Sequence, residues 1–196
     1  ADQLTIRQCL AEVTTSHSVD IAVSPGGLMR WAKKLVVMDV DSTLIQQEVI
    51  ELLAARAGVQ SEVATITEAA MRGELDFAQS LIARVALLEG VSADTLEAVY
   101  RERLRPNPGA AELLAGAHQH GIYTLLVSGG FNFFTEKLRQ QFGLKQTQAN
   151  TLEIIDNKLT GKVLGNIVDG FAKASYLDEV CSNLGCTKAN SMTMGD

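Results

Sequence analysis

The chain has 196 residues, 46% of them hydrophobic, with a formal net charge of −6 at pH 7 and an isoelectric point near 5.1. An acidic chain without a block of Lys or Arg lacks the basic face that non-specific nucleic-acid binding needs, so we expect no nucleic-acid partner. No run of residues approaches the roughly 18 consecutive apolar positions of a membrane span, and the N-terminus lacks the basic and apolar regions of a signal peptide.

The three cysteines, Cys9, Cys181 and Cys186, are not spaced like the ligands of a metal knuckle. An odd number of cysteines without such spacing is typical of reduced thiols, so we expect a cytoplasmic protein. The composition leaves the oligomeric state open.

The first 33 residues contain a predicted helix over 5–13, a predicted strand over 19–23 and a Ser-Pro-Gly-Gly turn over 24–27. This stretch is too short to bury a core of its own. We therefore expect residues 1–33 to be the end of a larger, regulatory-type N-terminal domain followed by a linker.

Residues 33–39 form a short, mostly apolar and β-branched run, which is the pattern of a strand buried on both faces of a parallel sheet. After it the apolar period changes to about 3.6 residues, the period of an amphipathic helix. Glycines at 58, 73 and 90 divide this part of the chain into four successive predicted helices. With no strand among them, they predict a helical-bundle cap over residues 46–105.

The remainder alternates between helices and strands. Helices are predicted over 110–120, 132–142 and 171–184, strands over 122–127 and 191–194, and a hairpin over 152–163. This alternation predicts the α/β class, with a Rossmann-like doubly wound parallel sheet formed by residues 34–45 and 106–196 and the cap inserted after its first strand.

Polar residues or glycines follow three of the apolar strands directly, at 39–41, 128–130 and 195–196. In an open parallel sheet, ligands gather at the carboxyl ends of the strands. Asp39 and Asp41 are two positions apart, so in extended chain they point the same way and repel unless a cation or a proton separates them. Such a pair is what a magnesium phosphotransfer site requires.

Each of these patterns has a plainer interpretation when it is taken alone. Asp-x-Asp is common in solvated loops, Ser128 with its two glycines resembles a strand-ending turn, and Lys173 resembles an exposed helix lysine. Order and spacing together favour the functional interpretation.

Four motifs, from about residue 33 to the end, resemble those of the haloacid dehalogenase superfamily of phosphatases. They are Asp-Val-Asp-Ser-Thr at 39–43, Ser-Gly-Gly at 128–130, Lys173 within 169–174, and Gly-Asp at 195–196. In the predicted cap, Glu48, the stretch 71–77 and Arg84 resemble the phosphoserine phosphatase family of that superfamily in particular.

The resemblance implies that Asp39 is the nucleophile, which forms an aspartyl phosphate. It implies that Asp41 is the general acid for the leaving oxygen and then the base for the hydrolytic water. It also implies Mg²⁺ as cofactor, held by the carboxylates of Asp39 and Asp196 and the backbone carbonyl of Asp41.

The other phosphoryl oxygens would be bound by the Ser128 hydroxyl, the Gly129 amide and the Lys173 ammonium group, as the resemblance implies, because their charge must be stabilised during transfer.

The implied substrate is a small molecule, O-phospho-L-serine, and the implied reaction releases L-serine and phosphate in the last step of serine biosynthesis. The ammonium and carboxylate groups of phosphoserine call for one acidic and one basic residue beyond the catalytic set, and Glu48 and Arg84 supply them. Met71 and Phe77 are expected to exclude water from the closed site.

The fourth motif of the family normally continues as Gly-Asp-Gly-x-Asn-Asp, whereas this sequence stops at Asp196. We therefore expect a core cut short at its C-terminus. Three alternatives stay open: a related phosphatase or phosphotransferase for another small phosphomonoester or acceptor, a phosphoacceptor signalling domain, and an inactive binding fragment.

Overall fold

In the computed structural model, residues 3–17, 21, 23 and 32–195 are described, and they fall into two units, 1–33 and 34–196. The first unit contains α1 (Gln3–His17), which is longer at both ends than the helix predicted over 5–13. Apart from residues 21 and 23, the strand predicted over 19–23 and the turn over 24–27 lie outside the described residues. No helix in the described ranges is long and apolar enough to cross a membrane.

The second unit is built on a sheet with the strand order β4-β3-β2-β1-β5. The strands are β1 (Leu35–Met38), β2 (Tyr123–Phe131), β3 (Gln146–Ile155), β4 (Lys158–Leu164) and β5 (Ser191–Met194). β1 lies parallel to both β2 and β5, β2 is parallel to β3, and only the β3–β4 hairpin is antiparallel. The predicted α/β class with a mostly parallel sheet is confirmed.

The helices of this unit follow the predicted order. They are α2 (Val49–Ala57), α3 (Gln60–Met71), α4 (Phe77–Ala86), α5 (Asp94–Arg103), α6 (Ala110–Gln119), α7 (Asn132–Phe142) and α8 (Gly170–Asn183). We call residues 46–105, with α2 to α5, the helical insert. That this insert works as a cap, with the boundaries given above, stays a prediction.

The two faces of β1 are covered by different elements, because alternate side chains of a strand point to opposite faces. Val36 and Met38 belong to a cluster with buried residues of α2, α4, α5, α6 and α7. Leu35 and Val37 belong to a second cluster, with Val180 of α8. Helices therefore cover both faces of the sheet, and every residue of β1 is buried.

β3 differs from the prediction, which recognised only its second half. The strand begins at Gln146 and pairs first with β2 in parallel, and its later residues pair with β4. Its first residues, Gln-Thr-Gln-Ala-Asn, are mostly polar and show no apolar alternation. The backbone ladder to β2 and a buried side chain at Asn150 hold this segment in the sheet, and neither leaves an apolar pattern in the sequence.

The hairpin also contacts the helical insert. Gly90 N donates to Leu159 O at 2.8 Å, Leu159 N donates to Val91 O at 2.8 Å, and Ala93 N donates to Asn157 O at 2.9 Å. The turn between α4 and α5 is thus bonded, backbone to backbone, to the β3–β4 hairpin at β4 and at its turn.

Candidate active site

A cavity of about 230 Å³ lies where β1 and β2 meet the helical insert. Most of the predicted site residues line it: Asp39, Asp41, Glu48, Phe77, Arg84, Ser128, Gly129 and Lys173. It is also lined by residues to which no role had been assigned: Ile50, Leu81, Gly130 and Phe131. The apolar ones among them belong to the inward stripes of α2, α4 and β2, so periodicity marks them as core but cannot show that they border a cavity.

Asp39 is the first residue after β1, and its carboxylate is held at both oxygens. Oδ1 accepts a hydrogen bond from Val40 N at 2.7 Å, and Oδ2 accepts one from the Lys173 ammonium group. The two side chains of this ion pair are 21% and 33% exposed, for Asp39 and Lys173 respectively. The two hydrogen bonds fix the orientation of the carboxylate, which lines the cavity.

Asp41 lies between β1 and the helical insert, and it lines the same cavity as Asp39. Its Oδ1 accepts a hydrogen bond from Val49 N, in the first turn of α2, at 3.2 Å. Burial, together with the nearby charge of Glu48, raises the pKa of Asp41 to about 7. A carboxyl group with this pKa carries a proton in much of the population at neutral pH, which is the state that a general acid needs.

This pKa has a consequence for stability that can be measured on the metal-free chain. Because the folded chain binds the Asp41 proton more tightly than the unfolded chain does, the stabilisation is present at low pH and is lost as the pH rises through about 7. We expect Asp41→Asn to raise the free energy of unfolding at pH 8 by on the order of 4 kcal/mol at most, because folding raises the pKa of Asp41 from 3.8 to about 7. Urea unfolding in EDTA at pH 5 and pH 8 measures it.

The stabilisation produced by Asp41→Asn, measured as the increase in the free energy of unfolding, must become smaller as the pH falls from 8 to 5. Asp76→Asn is the matched control, because Asp76 is the N-cap of α4 and asparagine caps a helix equally well. If Asp41→Asn changes the free energy of unfolding by the same amount at pH 5 and pH 8, the pKa of Asp41 is not raised in the folded chain.

Residues 128–130, near the end of β2, interrupt the pairing with β3 and form the floor of the cavity; we call them the loop 128–130. Ser128 is 1% exposed, and its Oγ accepts a hydrogen bond from Gly130 N at 2.9 Å. A β-carbon at Gly129 would lie 2.7 Å from Cζ of Phe77, and one at Gly130 would lie 2.6 Å from Oδ2 of Asp41. A side chain at either position would therefore displace Phe77 or Asp41, both of which line the cavity.

Glu48 and Arg84 place opposite charges on the insert side of the cavity. Glu48 Oε1 accepts a hydrogen bond from Ser42 Oγ at 2.6 Å. Arg84 Nε donates to Ser80 O at 3.3 Å, and burial lowers the pKa of Arg84 while Glu48, Glu51 and Asp41 oppose that shift. No described carboxylate lies within ion-pair distance of the Arg84 guanidinium group. Its charge is therefore available to an anionic group of a ligand.

The structure does not bring Met71 into the cavity. Its side chain is 84% exposed at the end of α3. Its predicted part in excluding water requires a movement of residues 71–76 and stays a prediction.

Asp196, the predicted third metal ligand, lies outside the described residues. Among those that are described, no cluster of three or more His, Cys, Asp or Glu side chains could hold a metal ion. Asp39 and Asp41 contribute only oxygen atoms to the cavity, and such hard donors suit Mg²⁺. The donor type fits the predicted cofactor, and the complete ligand set stays a prediction.

Comparison with known proteins agrees with this geometry. A phosphoserine phosphatase from Streptomyces coelicolor is 51% identical over 97% of this chain and 46% of its own length. One from Polaromonas is 48% identical over 83% of this chain and 71% of its own length. A solved structure described as a phospho-aspartyl intermediate analogue of phosphoserine phosphatase has a TM-score of 0.78 and 37% identity, covering 84% of this chain and 78% of that one.

The chain thus spans about half the length of the Streptomyces coelicolor relative. A family model described as haloacid dehalogenase-like hydrolase matches residues 36–196, which include β1 from its second residue and every motif at the strand ends. The predicted resemblance is confirmed: the chain belongs to the haloacid dehalogenase-like hydrolases.

Proposed function

We propose that this chain hydrolyses O-phospho-L-serine to L-serine and phosphate, through an aspartyl phosphate on Asp39. One observation carries the proposal. A single small cavity is lined by the carboxyl groups of Asp39 and Asp41, by Ser128, Gly129 and Lys173, and by two further side chains of opposite charge, Glu48 and Arg84. The relatives named phosphoserine phosphatase support it.

In the first step, a carboxylate oxygen of Asp39 attacks phosphorus while the bond from phosphorus to the serine oxygen breaks. Asp41 gives its proton to that departing oxygen, and its pKa of about 7 leaves the proton available at neutral pH. In the second step Asp41 takes a proton from water, whose oxygen attacks phosphorus and releases Asp39. One carboxyl group thus serves as acid and then as base.

The developing charge on the phosphoryl oxygens requires donors that are already in place. We assign this role to the Ser128 hydroxyl, the Gly129 amide and the Lys173 ammonium group. The carboxylates of Asp39 and Asp196 and the backbone carbonyl of Asp41 would hold Mg²⁺, which supplies positive charge beside the phosphoryl group when bound.

Substrate selection would come from the helical insert. Glu48 matches the ammonium group of phosphoserine and Arg84 matches its carboxylate, while Phe77 and Leu81 form an apolar wall. The volume of about 230 Å³ suits a substrate of this size. A phosphoacceptor signalling domain has no use for such a charged pair, so we favour the phosphatase. A place in the last step of serine biosynthesis and in the cytoplasm belongs to the same proposal.

The direct experiment is steady-state release of phosphate from phosphoserine with Mg²⁺, measured on the full-length protein. We expect Arg84→Ala to lower kcat/KM for phosphoserine by roughly 30-fold or more, about 2 kcal/mol or more, since it removes a charge-assisted pair in a partly closed site. A phosphomonoester without a carboxylate, such as an aryl phosphate, should lose much less.

Glu48→Gln should instead remove the preference for a substrate with a free amine. Arg101→Ala is the matched control, because Arg101 is exposed and pairs with Glu97 on α5. Equal losses on phosphoserine and on the aryl phosphate would show that Arg84 and Glu48 are structural, and the proposed substrate would then be wrong.

A further inference from the structure

Asn150 is a buried polar residue behind the floor of the cavity. It is 1% exposed and is not among the residues that line the cavity. Its Nδ2 donates to Gly129 O at 2.7 Å and to Gly130 O at 3.3 Å, and its Oδ1 accepts from Val168 N at 2.8 Å. Carbonyls can only accept and a backbone N–H can only donate, so these partners fix the orientation of the amide.

The first two bonds replace bonds of the β ladder. Val127 of β2 pairs with Gln148 of β3, and the next pair is Phe131 with Asn150. β2 advances four residues between these pairs and β3 advances two, so loop 128–130 bulges out of the ladder. The bulge keeps the carbonyls of Gly129 and Gly130 from pairing with the backbone of β3, and they accept hydrogen bonds from the side chain of Asn150 instead.

This arrangement sets the direction of the Gly130 amide. In a planar trans peptide the C=O and N–H groups point in opposite directions. With Gly129 O directed at Asn150, the N–H of Gly130 points away from it, where it donates to Ser128 Oγ at 2.9 Å. The amide of Asn150 therefore orients the hydroxyl that is expected to bind a phosphoryl oxygen.

The third bond reaches a different element. Val168 precedes Asp169, whose side chain caps α8 by accepting from Ala172 N at 2.8 Å. Lys173 lies in the first turn of that helix and pairs with Asp39. One side-chain amide thus links the cavity floor to the start of the helix that carries the lysine.

We propose that Asn150 is a positioning residue for phosphoryl transfer. Its amide holds the loop 128–130 and the start of α8 in the register that lets Ser128, Gly129 and Lys173 bind one phosphoryl group. This inference rests on the proposed phosphatase function, but it concerns only the phosphoryl subsite and not the choice of substrate.

The test uses Asn150→Asp, which keeps the shape and the acceptor for Val168 but directs an oxygen at two carbonyls. We expect kcat to fall about 100-fold, because a small misplacement of binding groups has effects of that order. The dissociation constant of inorganic phosphate with Mg²⁺ should rise at least about tenfold, since the same groups bind it. Asn150→Leu, which loses donor and acceptor, should lose at least as much.

The pattern over two substrates separates this role from that of Arg84. Because the amide acts on the phosphoryl subsite, phosphoserine and an aryl phosphate should lose activity by the same factor in Asn150→Asp. If the unchanged protein hydrolyses the aryl phosphate but not phosphoserine, the proposed substrate is wrong, and the effect of Asn150→Asp still decides the role of Asn150.

Two variants control for stability. Thr147→Val lies on the same strand, and the buried Thr147 Oγ1 has no hydrogen-bond partner in the described part of the chain, so activity should not change. Leu159→Ala removes a buried side chain of β4, away from the loop, and gives a destabilised reference. A loss in Asn150→Asp that Leu159→Ala reproduces at equal Tm would overturn the proposal.

A spectroscopic readout needs no turnover. The ¹H–¹⁵N resonance of the Gly130 amide should shift in Asn150→Asp and stay in place in Thr147→Val. A Gly130 resonance that is unchanged in Asn150→Asp, or values of kcat and phosphate affinity within twofold of the unchanged protein, would also overturn the proposal.

Discussion

Asp39→Asn is expected to lower turnover of phosphoserine by at least about 10⁴-fold, since removing a nucleophile leaves only binding and electrostatic assistance. An amide cannot form the aspartyl phosphate, and it no longer neutralises the Lys173 ammonium group that it faces. No phosphate should be incorporated into the chain, which mass spectrometry after rapid quenching measures directly.

Loss of fold is measured separately, because the Asp39 and Lys173 side chains are mostly buried and removing one charge of a buried pair costs stability. The Tm of Asp39→Asn must therefore lie well above the assay temperature. Asp178→Asn is the matched control. Asp178 lies on α8, the helix that also carries Lys173, but its side chain is exposed, pairs with Lys188 and has no part in the proposed mechanism. Turnover of Asp39→Asn within tenfold of the unchanged protein would refute the nucleophile.

Asp41→Asn is expected to separate the two steps. Some phosphorylation of Asp39 should remain, while hydrolysis of the aspartyl phosphate slows by roughly 10²–10⁴-fold, the usual contribution of a general base. The phosphorylated chain should therefore accumulate in a single-turnover experiment. Because asparagine does not titrate here, the pH dependence that the pKa of about 7 gives the unchanged protein should disappear in the variant.

The control variant Asp178→Asn should behave like the unchanged protein in both steps, since Asp178 is exposed, pairs with Lys188 and does not line the cavity. If both phosphorylation and hydrolysis proceed normally in Asp41→Asn, Asp41 has no acid–base role and another group must be sought.

Much of the fold could be predicted because local and tertiary preferences agree. α2 ends at Gly58, which has a φ of 75°, and α7 ends at Gly143, with a φ of 66°, so the ends of both helices follow from glycine in the left-handed region. β1 is recognisable because both its faces are buried. The first half of β3 is not, because its residues are polar and its place depends on β2.

Some residues of the candidate site could likewise be predicted from the local sequence, and others could not. Asp39 and Ser128 could be predicted because they follow apolar strands that end at one edge of a sheet, and the family resemblance added their roles. The position of Met71 depends on where α3 ends relative to the sheet, which periodicity does not determine. Asn150 has no local signature at all, because an asparagine in a polar segment looks like any surface residue until its partners are known.

The backbone bonds between the hairpin and residues 90–93 have a mechanical consequence. A rigid swing of the whole helical insert away from the sheet would break all three of them, at Gly90, Val91 and Ala93, in every catalytic cycle. The opposite end of the insert carries no such tether among the described residues, and Gly73 there has a φ of 76°. For the proposed phosphatase we therefore expect substrate to enter through a local bending of residues 71–76, because that motion would leave the three backbone bonds at residues 90–93 intact.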